Sequence, residues 1–162
     1  MAITKAKKQE IAERLNTILS DATTVTFVHF NGYAIADEHA MRNKLKEEGV
    51  SYYVAKKTLI NRALDTQAVT GERPVFEGQL AIAYGADAVA PAREVQEFAK
   101  KSDGKLAIVG GIFEGTYRSA SEMQEIASIP GMHQLRGMFV NVINSPVQGL
   151  VIALNQIAEK RS

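Results

Sequence analysis

Lys56-Lys57-Thr58 is the segment whose residue types and placing best fit a chemical task. It follows Val50-Ser51-Tyr52-Tyr53-Val54-Ala55, a β-branched and aromatic run that reads as a strand. It leads into a short helix predicted from Leu59 to about Leu64. A helix start exposes free N–H groups and a partial positive charge. Two ammonium groups and a hydroxyl placed there suit phosphate oxygens and not covalent chemistry. Arg62 on the same helix and Lys5, Lys7 and Lys8 near the beginning of the chain are further cations. From these residues alone, phosphate-backbone binding and a merely solvated basic helix end both stand open.

Other chemistry finds no foothold. His29, His39 and His133 are the three histidines, and none lies four residues from another or beside a plausible ligand cluster. Gly110-Gly111-Ile112-Phe113-Glu114-Gly115 invites a nucleotide-loop reading but misses the alternating glycines of the dinucleotide pattern. It also misses the P-loop, having Thr116-Tyr117 where Lys-Ser/Thr is required. Gly110-Gly111 reads instead as a bulge or a close backbone approach in a strand. Glu47-Glu48 is an ordinary solvated pair, and there is no G-x-S-x-G elbow. No catalytic residue, metal site or cofactor is expected, and the chain is read as a non-enzyme.

Composition narrows the partners. With 46% hydrophobic and 23% charged residues the chain is that of an ordinary globular protein. Its net charge is +1, so any surface for a polyanion must come from local segregation of the 19 Lys+Arg. Lys5 to Lys8, Arg42 to Lys46 and Lys56 to Arg62 are basic, whereas Glu72 to Glu97 is mostly neutral or acidic. There is no cysteine. The start lacks an apolar signal core, and no apolar run approaches the roughly 18 residues of a membrane span, so a cytoplasmic protein without membrane contact is expected.

The elements that must position the basic segment follow from periodicity. Thr4 can cap a first helix carrying Ile11, Leu15, Ile18 and Leu19 at helical spacing. A strand, Val25 to Phe30, stops at Asn31-Gly32. Asp37 is expected to cap a helix with Met41 and Leu45, closed by Gly49; residues from Asp65 to Pro74 read as loop. Gln79 to Tyr84 alternates large with small, its alanine face suiting a closely packed helix. Asp87 begins a helix with Pro91 in its first turn, Leu106 to Phe113 is a fourth strand, and Ser119 to Glu122 is a capping box before a short helix ended by Pro130. The order predicts an α+β fold with a split β-α-β (ferredoxin-like) arrangement, its helices on one face of the sheet.

Ser145-Pro146-Val147-Gln148 looks like another helix start, with an apolar stripe of Val147, Leu150, Val151, Leu154, Ile157 and Ala158 behind it. Each large aliphatic residue left in water forfeits roughly 1.5–3 kcal/mol relative to burial. Folding back on the chain's own domain and docking to another protein's helices both remain open at this point.

An ordered series of motifs resembles the bacterial large-subunit ribosomal protein L-ten family, the ribosomal stalk base. It runs over essentially the whole chain: Phe30-Asn31-Gly32, Arg42 with Leu45, Gly49-Val50, Val54 to Lys56, Thr58-Leu59 and Ala63. Gly78 with Ala81 to Tyr84, Phe98-Ala99-Lys100, Gly110-Gly111, Glu114-Gly115, Pro130 and Ser145 to Leu150 continue it. The family's usual Asn after the lysine is Lys57 here, a cation in place of an amide.

The resemblance implies a non-catalytic scaffold on the cytoplasmic ribosome. Residues 1–130 would bind large-subunit ribosomal RNA beside protein L-eleven, through Lys5, Lys7, Lys8, Asn31, Gly32, Lys56, Lys57, Thr58 and Arg62. Residues 131–162 would hold dimers of the acidic stalk protein L-seven/L-twelve, which recruits translational GTPases, through Val147, Leu150, Val151, Leu154, Ile157 and Ala158. Members of the family can also repress their own message when in excess. A rival of another class is a regulatory module of ferredoxin-like fold taking a small ligand at Gly110-Gly111.

Overall fold

A computed structural model of the chain describes residues 5–67, 69–76, 78–102 and 104–161. They fall into two units, one up to Ile129 and one from Pro130 on. The first runs α1 (Lys5–Asp21), β1 (Thr24–Phe30), α2 (Ile35–Glu47), β2 (Ser51–Val54), α3 (Lys57–Thr66), β3 (Gln79–Gly85), α4 (Ala90–Lys101), β4 (Leu106–Phe113), β5 (Thr116–Ser119) and α5 (Ala120–Ala127). The second contains α6 (Met132–Arg161).

The five strands lie in the order β2-β3-β1-β4-β5, every neighbouring pair antiparallel. In β1-α2-β2 and in β3-α4-β4 the two strands of each unit are separated by one strand of the other unit. That is the expected split arrangement, with α3 inserted between β2 and β3. The sheet is covered on both faces, not one. Met41 and Leu45 of α2, Ala92 and Val95 of α4 and Met123 of α5 pack on one side with Val28, Ala81 and Ala83. Leu15 of α1 and Ile60, Ala63 and Leu64 of α3 pack on the other with Val25, Phe27, Leu80 and Ile82. The alanine face of β3 does receive helices at close quarters, as its side-chain sizes anticipate.

Gly110 and Gly111 show why that strand needs them. The β1–β4 register shifts between Phe27 and Val28, leaving Val109 as an extra residue. A Cβ on Gly110 would stand 2.8 Å from the Arg118 carbonyl oxygen, and one on Gly111 2.7 Å from that of Val25. The segment that follows is a tight hairpin: Glu114 (φ 48°) and Gly115 (φ 74°) turn β4 into β5, a strand not anticipated from the sequence.

Several boundaries move. Thr4 lies outside the described residues. Helix α2 begins at Ile35 with Ala34 in the cap position and no side-chain cap hydrogen bond. Asp37 instead sits in the first turn with Glu38, where carboxylates complement the positive helix end. Asp87 stands just before α4, its Oδ1 accepting from the Val89 and Ala90 amides at 2.8 and 3.3 Å. The predicted capping box of α5 is present, with the Glu122 carboxylate accepting from the Ser119 amide at 2.8 Å. Helix α3 is longer at both ends than periodicity suggested, so the loop begins at Gln67, and within it Thr70 bridges to Thr116.

Ser145-Pro146 does not start a helix. Helix α6 runs unbroken through 30 residues with Pro146 inside it. Proline removes one ladder hydrogen bond and presses on the preceding turn, which bends a helix without ending it when the flanking residues are good helix formers. The segments Met132–Pro146 and Gln148–Ile157 meet at 40°. Among the described residues no single helix is long and apolar enough to cross a membrane.

Candidate nucleic-acid interface

Strand β2 ends at Val54, the chain passes through Ala55, and Lys56 takes an extended backbone (φ −64°, ψ 132°) in the cap position of α3. Its carbonyl accepts from the Leu59 and Ile60 amides at 2.9 and 3.1 Å. The helix therefore starts two residues earlier than expected, at Lys57. No side chain caps this end, so the amides of its first turn are left for another acceptor. Lys56, Lys57 and Thr58 are all exposed there.

These residues line one edge of a cleft of about 510 Å³. Phe30 at the end of β1, Tyr53 and Val54 of β2 and Leu80 of β3 supply its apolar walls. A second hollow, of about 400 Å³, lies between α1 and α3 and carries Lys8, Glu13 and Arg62. Leu59 belongs to both linings, so the two adjoin. Asn31 and the left-handed Gly32 (φ 61°) directly follow Phe30 and are exposed, as is Lys7 on α1. The side chain of Lys5 lies outside the described residues. The fold thus gathers Lys56, Lys57 and Thr58 at one cleft and Lys8 and Arg62 at its neighbour.

Two cations escaped the sequence reading. Arg14 stands over the Tyr53 ring at 5.2 Å. It follows Lys7 by two helical turns, a spacing that could have placed it on the same face. Lys105 meets this region through its backbone, where its carbonyl accepts from the Asn31 amide at 2.9 Å; only the β1–β4 pairing reveals that.

Among the described residues, no ion pair engages Lys7, Lys8, Lys56, Lys57 or Arg62. The other basic run behaves differently. Arg42 pairs with Glu38 at 2.7 Å, and Lys44 bridges α2 to α4 through Glu97 at 2.7 Å and Glu94 at 3.3 Å. Hydrogen bonds from Lys101 and Lys44 hold the Glu97 carboxyl down to about 2. Burial pushes the Tyr52 hydroxyl well above its ordinary value, and nearby Glu38 adds to that rise.

No group of three or more possible metal ligands occurs among the described residues. His29 is a packed strand residue: a Cβ on Gly78 would fall 2.5 Å from its Nε2. On α6, Leu150, Val151, Leu154 and Ile157 are each more than half exposed, while the side chains of Val147 and Ala158 are not among those described. The exposed stripe also extends upstream through Leu135, Met138, Phe139 and Val142, at a helical spacing the sequence reading passed over.

Residues 3–100 match the family model described as Ribosomal protein L10. The chain belongs to the ribosomal protein L10 family. Its relatives include proteins named large ribosomal subunit protein uL10. That of Caulobacter sp. (strain K31) is 34% identical over 88% of this chain and 83% of the relative. Those of Caulobacter vibrioides (strain NA1000 / CB15N) and Shouchella clausii (strain KSM-K16) are 36% and 33% identical, the latter over 96% of this chain and 93% of its own length. Membership of the L10 family makes the protein a structural, non-enzymatic constituent of the large ribosomal subunit, working in the cytoplasm as part of the ribosome. The cleft at the start of α3, its neighbouring hollow and α6 are therefore features of a ribosomal protein.

Proposed function

We propose that this L10-family protein grips large-subunit ribosomal RNA with the α1/α3 side of its sheet and holds stalk subunits on α6. The RNA face comprises Lys5, Lys7, Lys8, Asn31, Gly32, Lys56, Lys57, Thr58 and Arg62, with Arg14 and Lys105 at its margin. The observation that carries the reading is the uncapped start of α3, where Lys56 and Lys57 stand exposed with no ion-pair partner among the described residues. Lysines there meet phosphates, Thr58 donates from the first turn, and Gly32, having no side chain, lets a sugar-phosphate strand approach the backbone. Lys56→Ala with Lys57→Ala is expected to weaken binding to a large-subunit RNA transcript. It should also flatten the log–log salt dependence by about 0.9 for each lost duplex phosphate contact, or about 0.7 for a single strand. An unchanged affinity and slope would reject the assignment.

Dimers of the acidic stalk protein L-seven/L-twelve are the proposed cover for α6, seated on Val147, Leu150, Val151, Leu154, Ile157 and Ala158, with protein L-eleven as the neighbour of the RNA-bound domain. The exposed aliphatic residues support this, because each costs roughly 1.5–3 kcal/mol if left in water. Deleting residues 132–162 should abolish co-purification of the stalk protein while the remaining domain melts as before and still binds RNA. Deleting only 146–162 should leave part of the stripe and hence fewer dimers per chain, counted by native mass spectrometry. Loss of cooperative unfolding in the truncated domain would mean that α6 completes its core instead.

A Cβ built on Gly110 or Gly111 would meet Arg118 and Pro74 or Met123 and Val25, and that crowding speaks against a small ligand there.

A further inference from the structure

We propose that the larger cleft receives a single unstacked nucleobase of the bound RNA strand, an inference that rests on the RNA-binding reading above and specifies how that site takes its ligand. The cleft exists because two paired strands part. Strands β2 and β3 pair from Ser51 with Tyr84 to Val54 with Ala81, and there the ladder stops. Beyond it Ala55 and Lys56 swing away into α3, whereas Leu80 and Gln79 continue to pair with β1 on the other edge. The splayed ends bound a space of about 510 Å³, a volume typical of sites that take a small organic group.

The walls and rim of this space differ in character. Tyr53 and Phe30 contribute aromatic surface and Ile11 and Leu59 aliphatic surface, while Lys56 and Lys57 sit at the edge beside the first turn of α3. Bare phosphate has no use for such walls, since its oxygens need donors or water. A purely aliphatic group would leave the cations and the uncapped first turn of α3 unmatched. A nucleotide in a single-stranded stretch fits both parts: the ring lies against the apolar walls, and its phosphate reaches the lysines and the free amides. The exposed Gln79 amide, with one acceptor and two donors, stands where the base edge would need a hydrogen-bond partner. Duplex RNA could not use the cleft, because its bases are stacked and their edges lie in grooves that side chains reach poorly.

The experiment uses the full-length protein and a large-subunit RNA transcript, with affinity measured across salt concentrations and each base probed chemically for accessibility. Val54→Trp fills the mouth of the cleft from a position 41% exposed in a strand, and removes no cation. It is expected to cost about tenfold in affinity, the share of one stacked base, with the salt slope unchanged. One unpaired base that the wild-type protein shields should become reactive again. Gln79→Ala, at an exposed position whose change leaves the packing alone, should expose the same base with a loss of about threefold, a weak hydrogen bond's worth; it decides the matter if Val54→Trp melts early. Wild-type affinity and wild-type base protection in both variants, while Lys56→Ala with Lys57→Ala still flattens the slope, would overturn the base slot and leave phosphate binding standing. If the double lysine variant also binds normally, the RNA face itself is misplaced and the slot falls with it.

Discussion

On one side of the sheet, Arg42 and Lys44 of α2 are tied to Glu38, Glu94 and Glu97 at 2.7–3.3 Å, and Arg93 of α4 reaches Glu48 at 3.5 Å. On the other side, Lys8, Lys56, Lys57 and Arg62 around α1 and α3 have no such pairing among the described residues, although Glu13 shares a hollow with two of them. Two basic runs of similar composition thus serve different ends. The first is neutralised within the protein and joins α2 to α4. It also meets the charge of Glu94, whose side chain is 5% exposed and would be costly to bury alone. The second has no ion pair among the described residues, as the proposed RNA face requires. A net charge of +1 conceals this division, because it sums the chain's charges without regard to which of them are paired.

The contrast can be broken by disturbing the neutralised side. Ala83→Leu would force a larger side chain into the close contact between β3 and the α2/α4 layer, where Ala83 is fully buried. A loss of about 1–3 kcal/mol in stability is expected by urea titration, with RNA affinity of the folded fraction unaffected. A smaller effect is expected for Lys44→Ala, about 1 kcal/mol or less, since Lys44 is part-exposed and Arg93 still accompanies Glu94. Its RNA salt slope should equal that of the wild type. A slope that falls as it does for the Lys56 and Lys57 variant would show that both faces touch RNA, and the division would fail.

The smallest effect concerns pH. Glu97 is held down to about 2 from an ordinary carboxylate value of 4.5, so it binds its proton less readily folded than unfolded. Its contribution to stability is complete above about pH 4.5 and drains away as the pH falls toward about 2. Because the side chain is 44% exposed, solvent screens the gain to a fraction of a kcal/mol. Glu97→Gln should therefore lower the melting temperature slightly at neutral pH and narrow its difference from the wild type in acid.

What could be read beforehand depended on how local its cause was. The capping box at Ser119, the large–small alternation of Leu80 to Ala83 and the close approach at Gly110-Gly111 are imposed within a few residues, and all are found in the fold. The second helical layer has a longer-range cause. Thr24 to Val28 is buried throughout, as befits a strand covered on both faces, but in the sequence its short run fits one covered face almost as well. Strand β5 is four residues long and is specified by the Glu114-Gly115 turn, whose glycine-rich surroundings resemble a nucleotide loop as much as a hairpin. Pro146 misled for a physical reason: Ser-Pro-x-Gln is a genuine helix-start pattern, and the apolar spacing upstream overrides it. At the site, Lys56, Lys57 and Thr58 were legible because strand and helix periods change between Ala55 and Leu59. Arg14 was within reach of helical spacing from Lys7, whereas Lys105 reaches it only through strand pairing.

Pro146 takes one amide out of the α6 ladder and swings the second half of the rod 40° from the first. Any two subunits clasped on opposite sides of that elbow must leave along different headings. A straight rod of the same length would instead hold them in one line.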